Sequence, residues 1–318
     1  MKAIRFHASI PRYLLTKVIG KITHSAYYNF LSPTRLEEIP EPQIISPNSV
    51  KIKTKYTGIC GSDINTLMLR ESPLLEPLCS FPSILGHETT GEVVEVGPEV
   101  RNVQKGDRIV LDPILSCNAR DIYPYCANCS KGDYVLCLNF DGQGSISPGF
   151  DVGWCEDVGG AYAPFFVVPE SKLFKVPSNV SNENAVLVEP FTIGIHAVLH
   201  NYPKDSDVVV IVGVGVIGLM VLTALRAMGS KAEIIVLDTS EYQGQLALDH
   251  GANSFIKVNK GYYDDIARKL SLRKYKPLLE KKHLLVGGGA DLVYECVGLA
   301  GTIEDALRIV KPGGRVVL

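Results

Sequence analysis

An excess of charge of either sign is absent from this sequence. Its 318 residues include 32 basic and 34 acidic side chains, which gives a formal net charge of −2. Charge-driven binding to nucleic acid or to anionic membranes usually requires a strong basic excess, so the sequence predicts neither partner. Residues 1–30 also lack an apolar core that leads to a small-residue cleavage site, and no secretory signal is predicted.

Long apolar runs, internal repeats and low-complexity tracts are nearly absent as well. The exception is Val208–Leu225, which contains no charged residue and approaches the shortest length of a membrane span. Its regularly spaced glycines favour instead a buried strand followed by a helix, so no membrane span is predicted.

Cysteines are few, eight in all, but four of them lie close together. Cys117, Cys126, Cys129 and Cys137 have the spacing C-x8-C-x2-C-x7-C. In the reducing, cytoplasmic compartment that we expect, clustered thiols are more often metal ligands than disulfides. Four thiolates make a closed structural zinc site with no open position for chemistry. The alternative is a loop that folds without metal and leaves Cys117 free.

The two halves of the chain have different periodicities. Residues 1–185 contain short alternating runs rich in β-branched residues, which predict strands of a partly closed barrel or sandwich. Residues 186–318 alternate continuous apolar runs with helical patterns, which predict a parallel α/β sheet with right-handed crossovers. The segment 260–289 is less regular, and a loop insertion is predicted over residues 276–289.

A glycine fingerprint of the form G-x-G-x-x-G follows a predicted strand and opens a predicted helix. Its residues are Gly213, Val214, Gly215, Val216, Ile217 and Gly218. Gly213 permits a tight turn, Gly215 the approach of a pyrophosphate to the helix N-terminus, and Gly218 close helix–strand packing. Asp238 ends the next strand, where it would accept hydrogen bonds from ribose hydroxyls and repel a 2′-phosphate. NAD is therefore expected rather than NADP; the alternative is a glycine turn that binds no nucleotide.

A second group of metal-ligand types is spread over two motifs. Cys60 lies in GICGSDIN, and His87 and Glu88 lie in ILGHETTG. A thiolate, an imidazole and a carboxylate all suit zinc, and a catalytic zinc takes three protein ligands with one position open. Spacing by itself does not join them, because an isolated cysteine is usually a small buried apolar residue.

Several motifs occur in one order along nearly the whole chain. They are GICGSD (58–63), GHETTGEVVEVG (86–97), GDRIVLDP (106–113), the cysteine-rich segment, VLVEPFTIGIHAV (186–198), the glycine fingerprint, YECVG (294–298) and VKPGGRVV (310–317). Together they resemble the zinc-dependent, medium-chain alcohol dehydrogenase family, in its polyol, glucose and threonine dehydrogenase branch. The resemblance implies a chaperonin-10-like (GroES-like) catalytic domain over residues 1–185, with a zinc lobe at 113–140, and an NAD-binding Rossmann domain over residues 186–318.

The same resemblance assigns ligands to a catalytic zinc. Cys60 and His87 would bind it, and Glu88 and Glu189 would complete or exchange in its coordination. With the four-cysteine lobe, two zinc ions per chain are expected. The implied reaction is hydride transfer between a secondary alcohol, such as a polyol or sugar, and NAD, with zinc as a Lewis acid.

Some residues near these ligands match the family pattern, and others depart from it. Ser62 would hold the substrate oxygen and begin proton release, and Asp63 would fix the tautomer of the zinc-bound histidine. Asn65 stands where many members have a histidine that carries the proton to solvent, so the relay is expected to run through water, the ribose or another side chain. The lobe's first cysteine would fall at Tyr123 but is displaced to Cys117, and a longer loop must return it to the others.

The last residues read as an apolar strand, at a point where members of the family continue for several dozen residues. An unpaired apolar edge is unusual, so we expect that a C-terminal strand and the return to the catalytic domain are missing, and that the full-length protein is a homo-oligomer. Two alternatives to a dehydrogenase stay open. One is a zinc-free quinone or enone reductase, a branch that lacks the Cys60–His87–Glu88 combination, and the other is a non-catalytic zinc-binding relic.

Overall fold

The computed structural model describes residues 1–44, 46–279 and 283–318. The chain divides into two compact units, Met1–Glu189 and Pro190–Leu318. The sequence predicts a boundary after residue 185.

The first unit is built mainly from antiparallel strands. A five-stranded sheet has the order β7-β3-β5-β6-β8, and a three-stranded sheet has the order β2-β1-β4. The strands are β1 (Lys2–Phe6), β2 (Thr34–Glu38), β3 (Ser49–Thr57), β4 (Ser83–Ile84), β5 (Thr89–Val96), β6 (Arg108–Leu111), β7 (Phe165–Pro169) and β8 (Leu173–Lys175).

The core of the first unit lies under the larger sheet. Val50, Ile52, Val93, Ile109 and Phe166 come from four of its strands and are fully buried. Strands β3 and β5 pair from Val50↔Val96 to Thr57↔Thr89. This register places the C-terminal end of β3 beside the N-terminal end of β5, which matters for the site described below.

Helices of the first unit are short. They are α1 (Ile10–Ile19), α2 (Gly61–Leu67), α3 (Asn182–Ala185) and the start of α4 (Val188–His200), which continues into the second unit. Helix α1 begins at a proline-containing first turn, a position where the missing N–H of proline has no intrahelical partner to lose.

The second unit is a parallel α/β sheet with the order β11-β10-β9-β14-β15. Its elements are β9 (Val208–Val212), α5 (Val216–Ala227), β10 (Glu233–Asp238), α6 (Glu241–Asp249), β11 (Ser254–Lys257), α7 (Tyr262–Lys269), β12 (Leu272–Tyr275), β13 (Leu284–Gly287), β14 (Ala290–Glu295), α8 (Ala300–Ile309) and β15 (Val310–Val317).

Both faces of this sheet are buried. In β9, Val209 and Ile211 belong to one core cluster, and Val210 and Val212 belong to another. Alternate residues of a strand point to opposite faces, so a strand covered on both sides reads as a continuous apolar run. The prediction of a parallel α/β half is confirmed, and so is the β-rich first half.

The apolar run Val208–Leu225 is divided between β9 and α5, and no helix in the described part of the chain is long and apolar enough to cross a membrane. The predicted loop insertion over residues 276–289 is wrong in part. Within that range, β13 is a strand that pairs antiparallel with β12, which precedes the range, while residues 280–282 of that prediction lie outside the described residues.

Candidate active site

Cys60, His87 and Glu88 come together in the first unit. One ligand atom of each lies within 4.8 Å of the others. The β3–β5 register is the cause, because Cys60 follows β3 and the other two residues precede β5. The N–H of Gly58 donates to the carbonyl of Glu88 at 2.7 Å, which fixes the two strand ends against each other.

The electrostatics of this cluster favour a cation. Burial lowers the pKa of His87, but a hydrogen bond with Cys60 and the charges of Asp151, Asp63 and Cys60 outweigh it and raise that pKa to about 10. Burial raises the pKa of the Glu88 carboxyl, although His87 opposes the effect. A raised pKa on His87 reflects a surplus of negative charge around it, which a metal ion would neutralise. The donor set and the field therefore both fit zinc.

Glu189 lies outside this compact group of atoms. Burial nonetheless raises the pKa of its carboxyl, and the charges of His87, which lowers that pKa, and Glu88, which raises it, act on the same group. Glu189 is in the first turn of α4. The structure thus brings Glu189 near the cluster as a further carboxylate, at greater distance than Glu88.

Asp63 connects Cys60 to Tyr162 through hydrogen bonds. Its Oδ2 accepts hydrogen bonds from the N–H of Cys60 at 2.9 Å and from the phenol of Tyr162 at 2.8 Å. Burial and the Asp63 charge raise the pKa of Tyr162, so that phenol stays a donor. Asp63 acts on His87 through its charge. Tyr162 was not found from the sequence, because no local pattern links it to a residue 99 positions away.

Ser62 and Asn65 both lie on α2. Ser62 is half-buried and lines a cavity in the first unit. Asn65 is exposed, and its side chain hydrogen-bonds to the carboxyl group of Glu71. Burial raises the pKa of Glu71, and this hydrogen bond partly opposes the effect. Asn65, which stands where many family members have a proton-carrying histidine, thus hydrogen-bonds to a neighbouring carboxylate.

The four cysteines of the lobe also come together. The sulfur atoms of Cys117, Cys126, Cys129 and Cys137 all lie within 4.8 Å of one another, and none of the chain's cysteines is in a disulfide. The N–H of Cys129 donates to the Cys126 sulfur and lowers the pKa of Cys126 to about 6. Tyr123, where the family's first cysteine was expected, is 73% exposed. Four thiols arranged around one point fit a closed tetrahedral zinc site.

Arg120 organises the displaced part of the lobe. Its guanidinium is fully buried and donates to the carbonyls of Leu115 at 2.8 Å, Ile146 at 3.1 Å and Ser147 at 3.1 Å, and also to that of Gly149. Burial lowers the pKa of Arg120, while the nearby thiols and Asp141 oppose the effect. One guanidinium thus hydrogen-bonds to backbone carbonyls that precede and follow the loop carrying Cys117. The sequence analysis did not single out Arg120.

The glycine fingerprint lies between β9 and α5 in the second unit. Gly213 has φ of 82°, a conformation that favours glycine, and a Cβ on Gly218 would lie 2.0 Å from the Gly213 carbonyl oxygen. A Cβ on Gly215 would meet nothing within 4 Å, and α5 has no side-chain cap. The first N–H groups of α5, from Val216 and Ile217 onward, are therefore available to a phosphate.

Asp238 lies at the end of β10 beside this turn. Its Oδ2 accepts the N–H of Val214 and its Oδ1 accepts the N–H of Ser240, each at 2.8 Å. These bonds fix the carboxylate, and each oxygen keeps a lone pair for a ribose hydroxyl. The arrangement fits a dinucleotide.

Comparison with known proteins gives a consistent result. Residues 46–178 match the family model "Alcohol dehydrogenase GroES-like domain", and residues 216–318 match "Zinc-binding dehydrogenase". L-idonate 5-dehydrogenase of Vitis vinifera is 32% identical over 274 residues, which cover 86% of this chain and 67% of that protein. The chain belongs to the zinc-binding dehydrogenases with a GroES-like alcohol dehydrogenase domain, and the predicted family is confirmed.

Two solved structures extend the comparison. 2R,3R-butanediol dehydrogenase from Bacillus subtilis is 28% identical with a TM-score of 0.68, and the match covers 99% of this chain and 76% of that one. A zinc-binding dehydrogenase from Sinorhizobium meliloti bound to NADP is 29% identical with a TM-score of 0.67, over 89% of this chain and 71% of that one. The predicted fold class is confirmed by these neighbours.

Proposed function

We propose that this protein is a zinc-dependent oxidoreductase that transfers a hydride between a secondary alcohol of the polyol or sugar class and a nicotinamide dinucleotide. The observation that carries the proposal is the convergence of Cys60, His87 and Glu88 within 4.8 Å. The relatives named L-idonate 5-dehydrogenase and 2R,3R-butanediol dehydrogenase support the alcohol class.

Each residue of the site has a proposed role that follows from its position. Cys60, His87 and Glu88 would hold a catalytic zinc, with Glu189 as the exchanging carboxylate. A zinc ion held there would supply Lewis acidity toward an alcohol oxygen, and a bound nicotinamide cofactor would supply the hydride acceptor. Ser62, on the cavity wall, would hold the substrate hydroxyl and relay its proton onward toward solvent, giving up its own proton as it takes the substrate's.

Supporting residues complete the site. Asp63 and Tyr162 would keep Cys60 in place through the hydrogen bonds described above. Gly215 and the start of α5 would hold the pyrophosphate, and Asp238 the ribose. A second zinc in the four-cysteine lobe would have no open position and would serve structure.

The finer points of the proposal have their own support. We infer NAD rather than NADP from the charge of Asp238, and we infer a reducing, cytoplasmic compartment from the eight unpaired thiols. We infer two zinc ions per chain, and the two clusters of potential ligands support this count. Domain limits near residue 185 and homo-oligomerisation stay predictions.

The test combines metal content with turnover. Purified protein reconstituted with zinc should bind about two zinc ions per chain and reduce NAD with sorbitol or 2,3-butanediol. A chelator that removes one of the two should abolish the reaction, and added zinc should restore it. Two zinc ions without NAD reduction by any alcohol would support the non-catalytic relic, and enone reduction without zinc would support the zinc-free reductase.

A second prediction concerns the cofactor. Asp238→Asn removes the charge that would face a 2′-phosphate, so the preference for NAD over NADP, as a ratio of kcat/KM values, should fall about tenfold or more because like charges in close contact cost several kcal/mol. Asp249→Asn, an exposed change of the same charge at the end of α6, is the matched control. An unchanged ratio in Asp238→Asn would remove the assigned role of this carboxylate.

A further inference from the structure

A connection of unusual length joins the first two strands of the chain. Strands β1 and β2 pair directly, with Phe6 opposite Thr34, and such a hairpin normally needs only about two to five residues. Here residues 7–33, which we name the connecting segment, include the helix α1. No residue of this segment belongs to either metal cluster, so the added length serves something other than metal binding.

Helix α1 turns a polar residue and a glycine inward. Thr16 is fully buried, and its hydroxyl donates to the carbonyl of Leu31 at 2.8 Å. Gly20 follows the helix, and a Cβ at this position would lie 2.3 Å from the ring of Tyr27. These close contacts hold α1 against the part of the connecting segment that returns to β2. The opposite side of the helix is thereby fixed in orientation and faces solvent.

The exposed side of α1 is apolar. Ile10, Leu14 and Val18 are four residues apart and share one side of the helix, where they are 73%, 57% and 64% exposed. Leu15, next to this row, is 48% exposed. We name these four residues the outer face. A surface helix normally buries its apolar stripe, and an exposed group of apolar residues marks an interaction surface.

Basic side chains accompany the outer face. The connecting segment contains no aspartate or glutamate, and its basic residues are Arg12, Lys17 and Lys21. Lys17 lies on α1 itself, and Lys21 directly follows the glycine that caps the helix. Arg12 donates to the carbonyl of Phe30, and Lys17 donates to the phenol of Tyr13. These partners are uncharged, so they leave the positive charges beside the outer face in place.

The local charge differs from that of the whole chain. The net charge of −2 is a sum over 318 residues, and from it the sequence predicts no anionic membrane as a partner. Residues 7–33 carry three basic and no acidic side chains, which gives this segment a formal charge of +3 with histidine neutral. Because salt screens exposed charges beyond about 8–10 Å, a surface that approaches α1 meets mainly this local positive charge.

One part of α1 borders a cavity of the first unit. The cavity lining includes Ile10 and Leu14 of the outer face and also three acidic residues, Glu71, Glu76 and Asp151. Leu15, Lys17 and Val18 are outside that lining. The C-terminal half of α1 is therefore the part that can meet a flat surface away from these acidic groups.

We propose that the outer face of α1 docks onto the surface of an anionic lipid bilayer. Leu15 and Val18 would lie at the boundary between headgroups and acyl chains, and Lys17 and Lys21 would extend to the lipid phosphates. The helix would lie in the plane of the membrane, since its 10 residues are about half the length of a membrane span. This docking does not depend on the proposed oxidoreductase activity.

Two other partners fit the surface less well. In a two-fold contact between copies of this chain the same surface faces itself, so Lys17 and Lys21 would meet like charges, which is unfavourable. A protein partner usually forms about one hydrogen bond per 100–200 Å² of interface, whereas the four residues of the outer face have no side-chain donor or acceptor. A bilayer needs neither, because apolar burial and attraction to anionic lipids are sufficient.

The first test compares vesicles that differ only in charge. The wild-type protein should cosediment with phosphatidylcholine vesicles that contain phosphatidylglycerol. Its partition coefficient should exceed that for pure phosphatidylcholine by about tenfold or more, because each basic side chain near an anionic surface contributes about a fivefold increase. Added salt should reduce the difference. No binding to the charged vesicles, or equal binding to both kinds, would overturn the inference.

The second test removes one apolar contact. Val18→Gln keeps a good helix former on α1 and removes a side chain that would be buried in the bilayer, so the partition coefficient should fall about tenfold. Leu307→Gln is the matched control, because Leu307 is 62% exposed on α8 of the second unit. An equal loss in both variants would contradict the assignment of the surface to α1.

The third test reverses one charge. Lys17→Glu should lower the partition coefficient about tenfold on the charged vesicles and leave it unchanged on the neutral ones. Lys105→Glu, an exposed change of the same charge in the first unit, is the matched control and should alter binding little. A partition coefficient that stays the same in Lys17→Glu would exclude the proposed charge contact.

Folding and self-association are measured on the same proteins. Each substitution is at an exposed position, so thermal unfolding followed by circular dichroism should match the wild-type protein, and the wild-type comparison of vesicles needs no variant. Sedimentation velocity without lipid tests the second copy: a wild-type dimer that Val18→Gln converts to a monomer would overturn the inference. Vesicle binding is measured without alcohol or dinucleotide, so its failure is distinct from failure of the proposed function.

Discussion

Replacing Cys60 with alanine should release one of the two bound zinc ions and lower kcat about a thousandfold. Cys60 is one of the three residues whose potential ligand atoms lie within 4.8 Å of one another, and we propose that they hold the catalytic zinc. Lewis-acid assistance by a metal contributes several kcal/mol to the transition state, and each 1.4 kcal/mol corresponds to about a factor of ten in rate. Zinc content by elemental analysis and NAD reduction on the same preparation check the result.

Cys155→Ala is the matched control for Cys60→Ala. Cys155 is fully buried in the core of the first unit and belongs to neither metal cluster. Its replacement should reduce stability modestly, as small core truncations do, and leave both zinc ions in place. Retention of two zinc ions and of turnover in Cys60→Ala would exclude the assigned catalytic site.

Replacing Arg120 with methionine should destabilise the zinc lobe by about 4 kcal/mol, because four carbonyls lose a charged donor and each such loss costs on the order of 1 kcal/mol or more. The carbonyls of Leu115, Ile146, Ser147 and Gly149 would lose their donor inside the protein. Methionine keeps most of the volume, so the effect would report lost hydrogen bonds more than a cavity. Urea titration of the zinc-loaded protein, followed by release of zinc to a chromogenic chelator, should show a lower midpoint.

The control for Arg120→Met is Arg101→Met. Arg101 is exposed in the same unit, and surface changes of this kind usually alter stability by about 0.5 kcal/mol or less. Far-UV circular dichroism of both variants would separate loss of the lobe from loss of the whole unit. If Arg120→Met released zinc at the same urea concentration as the wild-type protein, the stability of the lobe would not depend on this guanidinium.

Features that are local in the chain were accessible from the sequence. The fingerprint lies in one turn and the start of one helix, at Gly213, Gly215 and Gly218. Its spacing therefore directly indicates the backbone geometry of that strand-to-helix turn. In the second half, the continuous apolar runs that alternate with helical patterns indicate strands buried on both faces. The C-x2-C spacing of Cys126 and Cys129 similarly reports a tight turn that presents two thiols.

Features that depend on distant partners were not accessible in the same way. Spacing did not join Cys60 to His87, because only the β3–β5 register brings the ends of those strands together. Strand β13 fell within the predicted loop insertion, since a four-residue strand with one buried residue lacks the alternating burial that creates a periodic pattern.

The sequence by itself determined the family, the two-part fold class, the dinucleotide fingerprint and the identity of the metal-ligand types. The tertiary structure alone decided that Cys60, His87 and Glu88 converge, that Asp63 hydrogen-bonds to both Cys60 and Tyr162, and that Arg120 donates to carbonyls before and after the lobe. The physical reason is that propensity and periodicity act over a few neighbours in the chain. Burial, charge and hydrogen-bond satisfaction, in contrast, depend on residues that only folding brings together.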